Sequence, residues 1–133
     1  MDDWLRRAAA AQRAAMERRL ADLEVTPAQF SLLCLIVEQP GVSAAELARR
    51  ERLTPPTVSV TVANLEKRGW IRRVPDPEHA RIQRLTATPS GCDSMDEGVR
   101  RTADWRRRLA ATPTKGESDA VAAWLKRVAQ IDI

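Results

Sequence analysis

The sequence predicts a mainly α, α+β fold of six helices and one β-hairpin. Three observations carry this prediction. Apolar residues recur every three or four positions through most of the 133-residue chain, the spacing of helix faces. Helix-start signals stand in front of those runs: Thr26, Ser43 and Thr114 each precede a Gln or Glu three residues on, and Thr54 and Thr88 each precede a proline. Between Trp70 and Thr88 the helical spacing gives way to two short strand-like runs around Pro75-Asp76-Pro77-Glu78.

The first helix is read from Leu5 to Leu23, with Leu5, Ala9, Met16, Leu20 and Leu23 on one narrow stripe interrupted by Gln12. So narrow a stripe on so long a helix requires a partner surface. Thr26-Pro27 opens a second helix through Phe30, Leu32, Leu33, Cys34, Leu35, Ile36 and Val37. It is apolar on most sides and therefore the centre of the core, and Gln39-Pro40-Gly41 ends it. A short third helix starts at the Ser43/Glu46 capping box and presents Leu47 and Ala48. Thr54-Pro55 starts the fourth, whose Val58, Val62 and Leu65 face inward and which Gly69 stops. Two short helices so tightly joined, the second opening with small polar residues, form a helix-turn-helix. In that motif the first residues of the second helix enter the major groove. Trp70–Val74 and Ile82–Thr88 follow as a hairpin, the wing of a winged helix-turn-helix, with Ile82 out of phase with Leu85 and Ala87. A fifth helix after Thr88-Pro89 aligns Met95, Val99, Thr102 and Leu109 and stops before Pro113. The sixth, from Thr114, is expected to bury Val121, Trp124, Leu125 and Val128.

Hydrophobic residues make up 44% of the chain and charged residues 30%, the composition of a globular protein. No apolar run approaches the ~20 residues of a membrane span. Met1-Asp2-Asp3-Trp4 lacks a basic stretch leading into an apolar one, so the expected location is the cytoplasm. Cys34 and Cys92 lie far apart without Cys/His ligand spacing, and neither a metal nor a cofactor is expected. His79 is the single histidine and no phosphate-cradling glycine loop occurs, so no catalytic constellation can be assembled and no enzyme is expected. Cys34 reads as core and Cys92, beside Asp93, as an ordinary thiol. The net charge is +4, and its distribution is uneven. Both ends of the chain are nearly balanced, whereas Lys67, Arg68, Arg72, Arg73, Arg81 and Arg84 face only Asp76 and Glu78 in the same stretch. A local basic patch of this kind fits a polyanionic partner.

The order of these parts resembles the multiple-antibiotic-resistance regulator (MarR) family. Thr26–Phe30 is similar to the opening of that family's second helix, and Ser43–Ala48 to the first helix of its DNA motif. Thr54–Ser59 with Leu65–Ile71 resembles its recognition helix and first wing strand. Asp76-Pro77-Glu78 and Thr88–Gly91 resemble its wing tip and the start of its long fifth helix. The resemblance covers residues 26–91, about half of the chain. It implies a homodimer with dimerisation helices at 1–25 and 92–133 and a DNA-binding region at 26–91. It further implies a transcription regulator, in most members a repressor, bound to a pseudo-palindromic operator in double-stranded DNA. Recognition helices would lie in successive major grooves and wings in flanking minor grooves, with release by a small phenolic or other ligand. The terminal stripes, otherwise without a partner, agree with the dimer. The other reading open to the sequence is a winged-helix interaction protein, an antirepressor or heterodimer partner, without sequence-specific DNA binding.

On the regulator reading, the DNA-binding residues are Ser43, Thr54, Pro56, Thr57, Ser59, Val60, Asn64, Arg72, Arg73, Arg81 and Arg84. Ser43, Thr54, Thr57 and Ser59 offer hydroxyls to phosphates, as do free N–H groups at the start of the 55–68 helix. Ser43 and Thr54 also cap their helices. Pro56, Thr57 and Val60 are placed for thymine methyl groups, and Asn64 for a base edge or a phosphate. Arg72, Arg73 and Arg84 are assigned to phosphates and Arg81 to the minor groove. Two departures from the family stand out. Its recognition helix usually carries arginines or lysines on the outer face, where this chain has Pro55, Val60 and Asn64. Its usual wing Asp-x-Arg reads His79-Ala80-Arg81 here, keeping the arginine and replacing the acid.

Overall fold

A computed structural model describes residues 1–131. Helices form where the local capping code places them. Thr26, Ser43 and Thr114 each accept a hydrogen bond from the backbone N–H three residues on, and the Gln29, Glu46 and Glu117 side chains each accept one from the N–H of the cap residue. The elements are α1 (Asp2–Leu20), α2 (Pro27–Glu38), β1 (Val42–Ser43), α3 (Ala44–Glu51), α4 (Pro55–Lys67), β2 (Ile71–Pro75), β3 (Gln83–Ala87), α5 (Pro89–Ala111) and α6 (Lys115–Ala129). No single helix among the described residues is long and apolar enough to cross a membrane.

Residues 1–101 make one compact unit. Its core is built from Phe30, Leu32, Leu33 and Ile36 of α2, Leu47 of α3, Val58, Val62 and Leu65 of α4, and Ile71 and Leu85 of the sheet, with α2 packed on α4 and β3. The first helix departs from the sequence reading. It ends at Leu20, and a 3-10 turn over Ala21–Leu23 leads to Glu24 in the left-handed region. Its buried residues are Ala15, Met16 and Leu20, all in the C-terminal half that packs on α2, while Ala9 is exposed.

The wing is a three-stranded antiparallel sheet in the order β1-β3-β2, not a simple hairpin. Val42 pairs with Leu85 and Ser43 with Arg84, so the segment leading into α3 forms the third strand. Across the hairpin, Ile71 faces Ala87 and Pro75 faces Gln83. The irregular phase of Ile82 has a structural reason: it precedes β3 and closes the wing loop, donating its N–H to the His79 carbonyl and accepting from the Asp76 N–H. The return from the sheet into α5 is tight. The Thr88 N–H donates to the Trp70 carbonyl, and the Thr88 hydroxyl donates to the Gly69 carbonyl and accepts from the Gly91 N–H. A Cβ on Gly91 would lie 2.0 Å from the Trp70 carbonyl oxygen, and one on Gly98 would lie 2.1 Å from the Phe30 ring. These two glycines let α5 lie directly on the start of the wing and on the core aromatic.

Residues from Thr102 onward form a second unit, comprising the last turns of α5 and all of α6. The expected burial along α6 is not found. No residue of α6 is buried, and Val121 and Leu125 are 50% and 42% exposed. Helical spacing identifies an apolar stripe but not what covers it; Val121 and Leu125 stay exposed, and Trp124 and Val128 are half-buried.

Candidate nucleic-acid interface

The face built around α4 starts with a cap. Thr54 accepts from the Thr57 N–H at 3.3 Å, and the two hydroxyls bond each other at 2.8 Å. The next two positions are Pro55 and Pro56, which have no N–H at all. The start of α4 therefore offers a phosphate no free N–H from its first three residues, contrary to the sequence-based expectation. The buried side of α4 is Val58, Thr61, Val62 and Leu65. At 100° per residue the opposite side is centred on Pro56, Val60, Ala63 and Lys67, flanked by Ser59 and Asn64, and all six are exposed. Val60 is 63% exposed. The sole cation of the helix, Lys67, stands at its far end, about 16 Å along the axis from Pro56.

Positive charge lies beside α4 rather than on it. Between the start of α3 and the sheet runs a cleft of about 650 Å³ whose walls include Ser43, Arg49, Arg73, Arg81, Ile82 and Arg84. Ser43 caps α3: its hydroxyl accepts from the Glu46 N–H at 3.2 Å and its own N–H donates to the Glu46 carboxylate at 2.9 Å. Arg73 reaches Glu66 of α4 at 3.2 Å. Arg72, on the other face of the strand, and Arg81, on the wing loop, are exposed and form no ion pair among the described residues.

Arg84 is occupied differently. Its Nε donates to Asp76 at 2.8 Å, and its Nη1 lies 3.6 Å from Glu46 and 3.4 Å from the Gly41 carbonyl. Arg84 thus joins wing loop, sheet and α3, and the same side chain also lines the cleft. Asp76 organises the loop as well, accepting from the Glu78 N–H at 2.8 Å and the His79 N–H at 3.1 Å. Those bonds hold its carboxyl below the ordinary aspartate value, the Glu78 N–H first and the Arg84 side chain next. The Glu46 carboxyl is lowered too, chiefly by the Ser43 N–H; partial burial opposes this, and the Arg84 charge adds to it. Arg84 is correspondingly raised, mainly by its bond to Asp76. Asp76, Glu46 and Arg49 were not among the residues picked from sequence for this face. The first two were visible only as turn and cap, because their bond to Arg84 spans 8 and 38 residues.

A second anchor sets the far end of α4. The Arg68 guanidinium donates to the Leu23 carbonyl at 2.8 Å and stacks on the Trp70 ring at 4.1 Å from its centroid. It ties the end of α4 to the turn after α1 and to the start of β2. Among the described residues, no cluster of His, Cys, Asp and Glu could hold a metal ion.

Comparison with known proteins agrees with this architecture. The MarR family profile matches residues 25–82. An HTH-type transcriptional repressor of Mycobacterium tuberculosis is 32% identical over 104 residues, covering 77% of this chain and 75% of that protein. An HTH-type transcriptional regulator of Bacillus subtilis is 29% identical over 108 residues, covering 80% of this chain and 71% of that one. The transcriptional repressor CouR bound to a 23-mer DNA duplex superposes with a TM-score of 0.88 at 26% identity, over 97% of this chain and 92% of CouR. The fold is also that of CouR from Rhodococcus jostii RHA1 bound to p-coumaroyl-CoA, with a TM-score of 0.88 at 24% identity over 98% of this chain and 92% of that one.

Proposed function

The chain belongs to the MarR family of transcriptional regulators, and on that premise we propose that it is a cytoplasmic, homodimeric repressor of a pseudo-palindromic operator in double-stranded DNA. The observation that carries the proposal is the contrast at the interface: an exposed, almost uncharged α4 beside a cleft walled by Arg49, Arg73 and Arg81. A duplex against this face meets cations beside the recognition helix and base edges along it. The DNA duplex held by CouR supports duplex DNA as the partner.

In this reading α4 enters the major groove with Pro56, Thr57, Ser59, Val60 and Asn64 toward the bases, and Thr54 and Ser43 sit near the flanking backbone. Arg49, Arg72 and Arg73 meet phosphates, and Arg81 enters the adjacent minor groove. Arg84 acts from behind by holding the wing loop on α3. Residues 26–91 form the DNA-binding region, and residues 1–25 and 92–133 the dimerisation helices. The uncovered apolar side chains of α6 support a second copy as their cover. The p-coumaroyl-CoA held by CouR supports release by a small organic ligand.

The test is selection of genomic fragments by the purified protein at two salt concentrations, with Arg81→Ala in parallel. A pseudo-palindromic site, weakened by the substitution and by salt, is the expected recovery. Equal failure of both proteins to enrich any fragment at low salt would replace this proposal with the interaction-protein reading.

A further inference from the structure

We infer that the recognition helix reads its half-site through the C5-methyl groups of thymine, with Asn64 on an adjacent adenine, and takes no guanine contact. The inference rests on the DNA-binding reading above and specifies the chemistry of the site.

The exposed side of α4 sets what the helix can offer a base. Its midline is Pro56, Val60 and Ala63, with only carbon beyond the backbone. Of the flanking hydroxyls, that of Thr57 is held by Thr54, with its methyl standing beside it. In the major groove guanine presents two acceptors and cytosine a donor, whereas thymine presents a methyl group beside its single acceptor. An apolar strip pressed on a G·C pair strips water from polar edges and returns no hydrogen bond, which is unfavourable. The same strip on thymine buries carbon against carbon. Selectivity for A·T pairs then follows from the penalty on the alternative as much as from the contact itself.

Three further features fit. Ser59 and Ala63 are short enough to let the helix backbone approach the base edges. Asn64 stands on the same face, four residues after Val60, and its amide matches the adenine N6/N7 pair. The one cation of α4 is Lys67, at the end remote from the residues that enter a groove first, and the other cations belong to α3 and the wing. Guanidinium groups suited to guanine are therefore placed where phosphates, not bases, would meet them.

The experiment uses the full-length protein and duplexes selected from a random pool. Binding is compared for the recovered duplex, the same duplex with thymine replaced by deoxyuridine in the half-sites, and a version with 7-deazaguanine for guanine. Each methyl that is read should cost on the order of fourfold in affinity when removed. The 7-deazaguanine duplex should bind as the parent does. Val60→Ala, at an exposed position, should weaken binding to the thymine duplex by a similar factor and have no further effect on the deoxyuridine duplex, the non-additivity expected of a direct contact. Equal binding to thymine and deoxyuridine duplexes, or a loss confined to 7-deazaguanine, overturns the inference while leaving DNA binding intact. Absence of salt-dependent binding to every duplex in the pool would instead strike the DNA-binding reading itself.

Discussion

The two halves of the candidate interface solve different physical problems with different residues. Along α4 the exposed side chains are small and nearly uncharged, and the helix start has lost N–H groups to two prolines. Beside it, α3 and the wing carry arginines held in an organised frame, with Asp76 and Glu46 fixing Arg84 and Glu66 holding Arg73. Attraction to a polyanion needs charge but little geometry, while discrimination among bases needs shape and burial. On the proposed reading, the frame takes the first task and the helix the second. On that reading a recognition helix without arginine can still discriminate, because its neighbours supply the electrostatics.

The largest expected break in this comparison lies in neither half but in the joint that sets one against the other. Gly91→Ala drives a Cβ into the Trp70 carbonyl, a backbone atom that cannot turn away. It should cost about 1–3 kcal/mol in denaturant unfolding. It should also weaken operator binding by more than Val60→Ala does, because the wing start must shift relative to α5. A variant with wild-type stability and affinity would show that this contact is dispensable.

A smaller effect sharpens the role of the frame. Asp76→Asn keeps the shape of the loop residue but removes the charge that holds Arg84, and affinity should fall roughly threefold to tenfold. The carboxyls of Asp76 and Glu46 are depressed in the folded protein. Such groups stabilise fully above their unfolded values, near pH 4, and lose that contribution as pH falls through the lower folded values. Thermal stability should therefore be flat from pH 8 to 6 and fall below about pH 4. The fall should be shallower in Asp76→Asn. An identical acid limb in both proteins would remove Asp76 from the account.

How much of this was legible in the sequence follows from the range of the interactions. Helix starts were legible because a capping box is written in four adjacent residues, as at Thr26, Ser43 and Thr114. The stop at Gly69 was legible because its φ of 75° lies where side chains are disfavoured. The strand Val42–Ser43 was not, since two residues carry no periodicity and it exists only through its pairing with β3. The role of Arg84 was hidden for the same reason. Its partners come from the wing loop and α3, and basic composition alone assigned it to a phosphate. On α6 helical spacing marks an apolar stripe, but spacing does not say what covers it, and no α6 residue is buried here.

The salt dependence of operator binding separates the helix from the frame. Log K against log salt should be measured for the wild type, Arg49→Ala and Val60→Ala. Each phosphate contact contributes about 0.9 to the slope, and the proposed homodimer would carry every contact twice, so Arg49→Ala should flatten it by about 1.8. Val60→Ala should lower affinity with an unchanged slope. A slope that is unaltered in Arg49→Ala, or that flattens in Val60→Ala, would contradict the account.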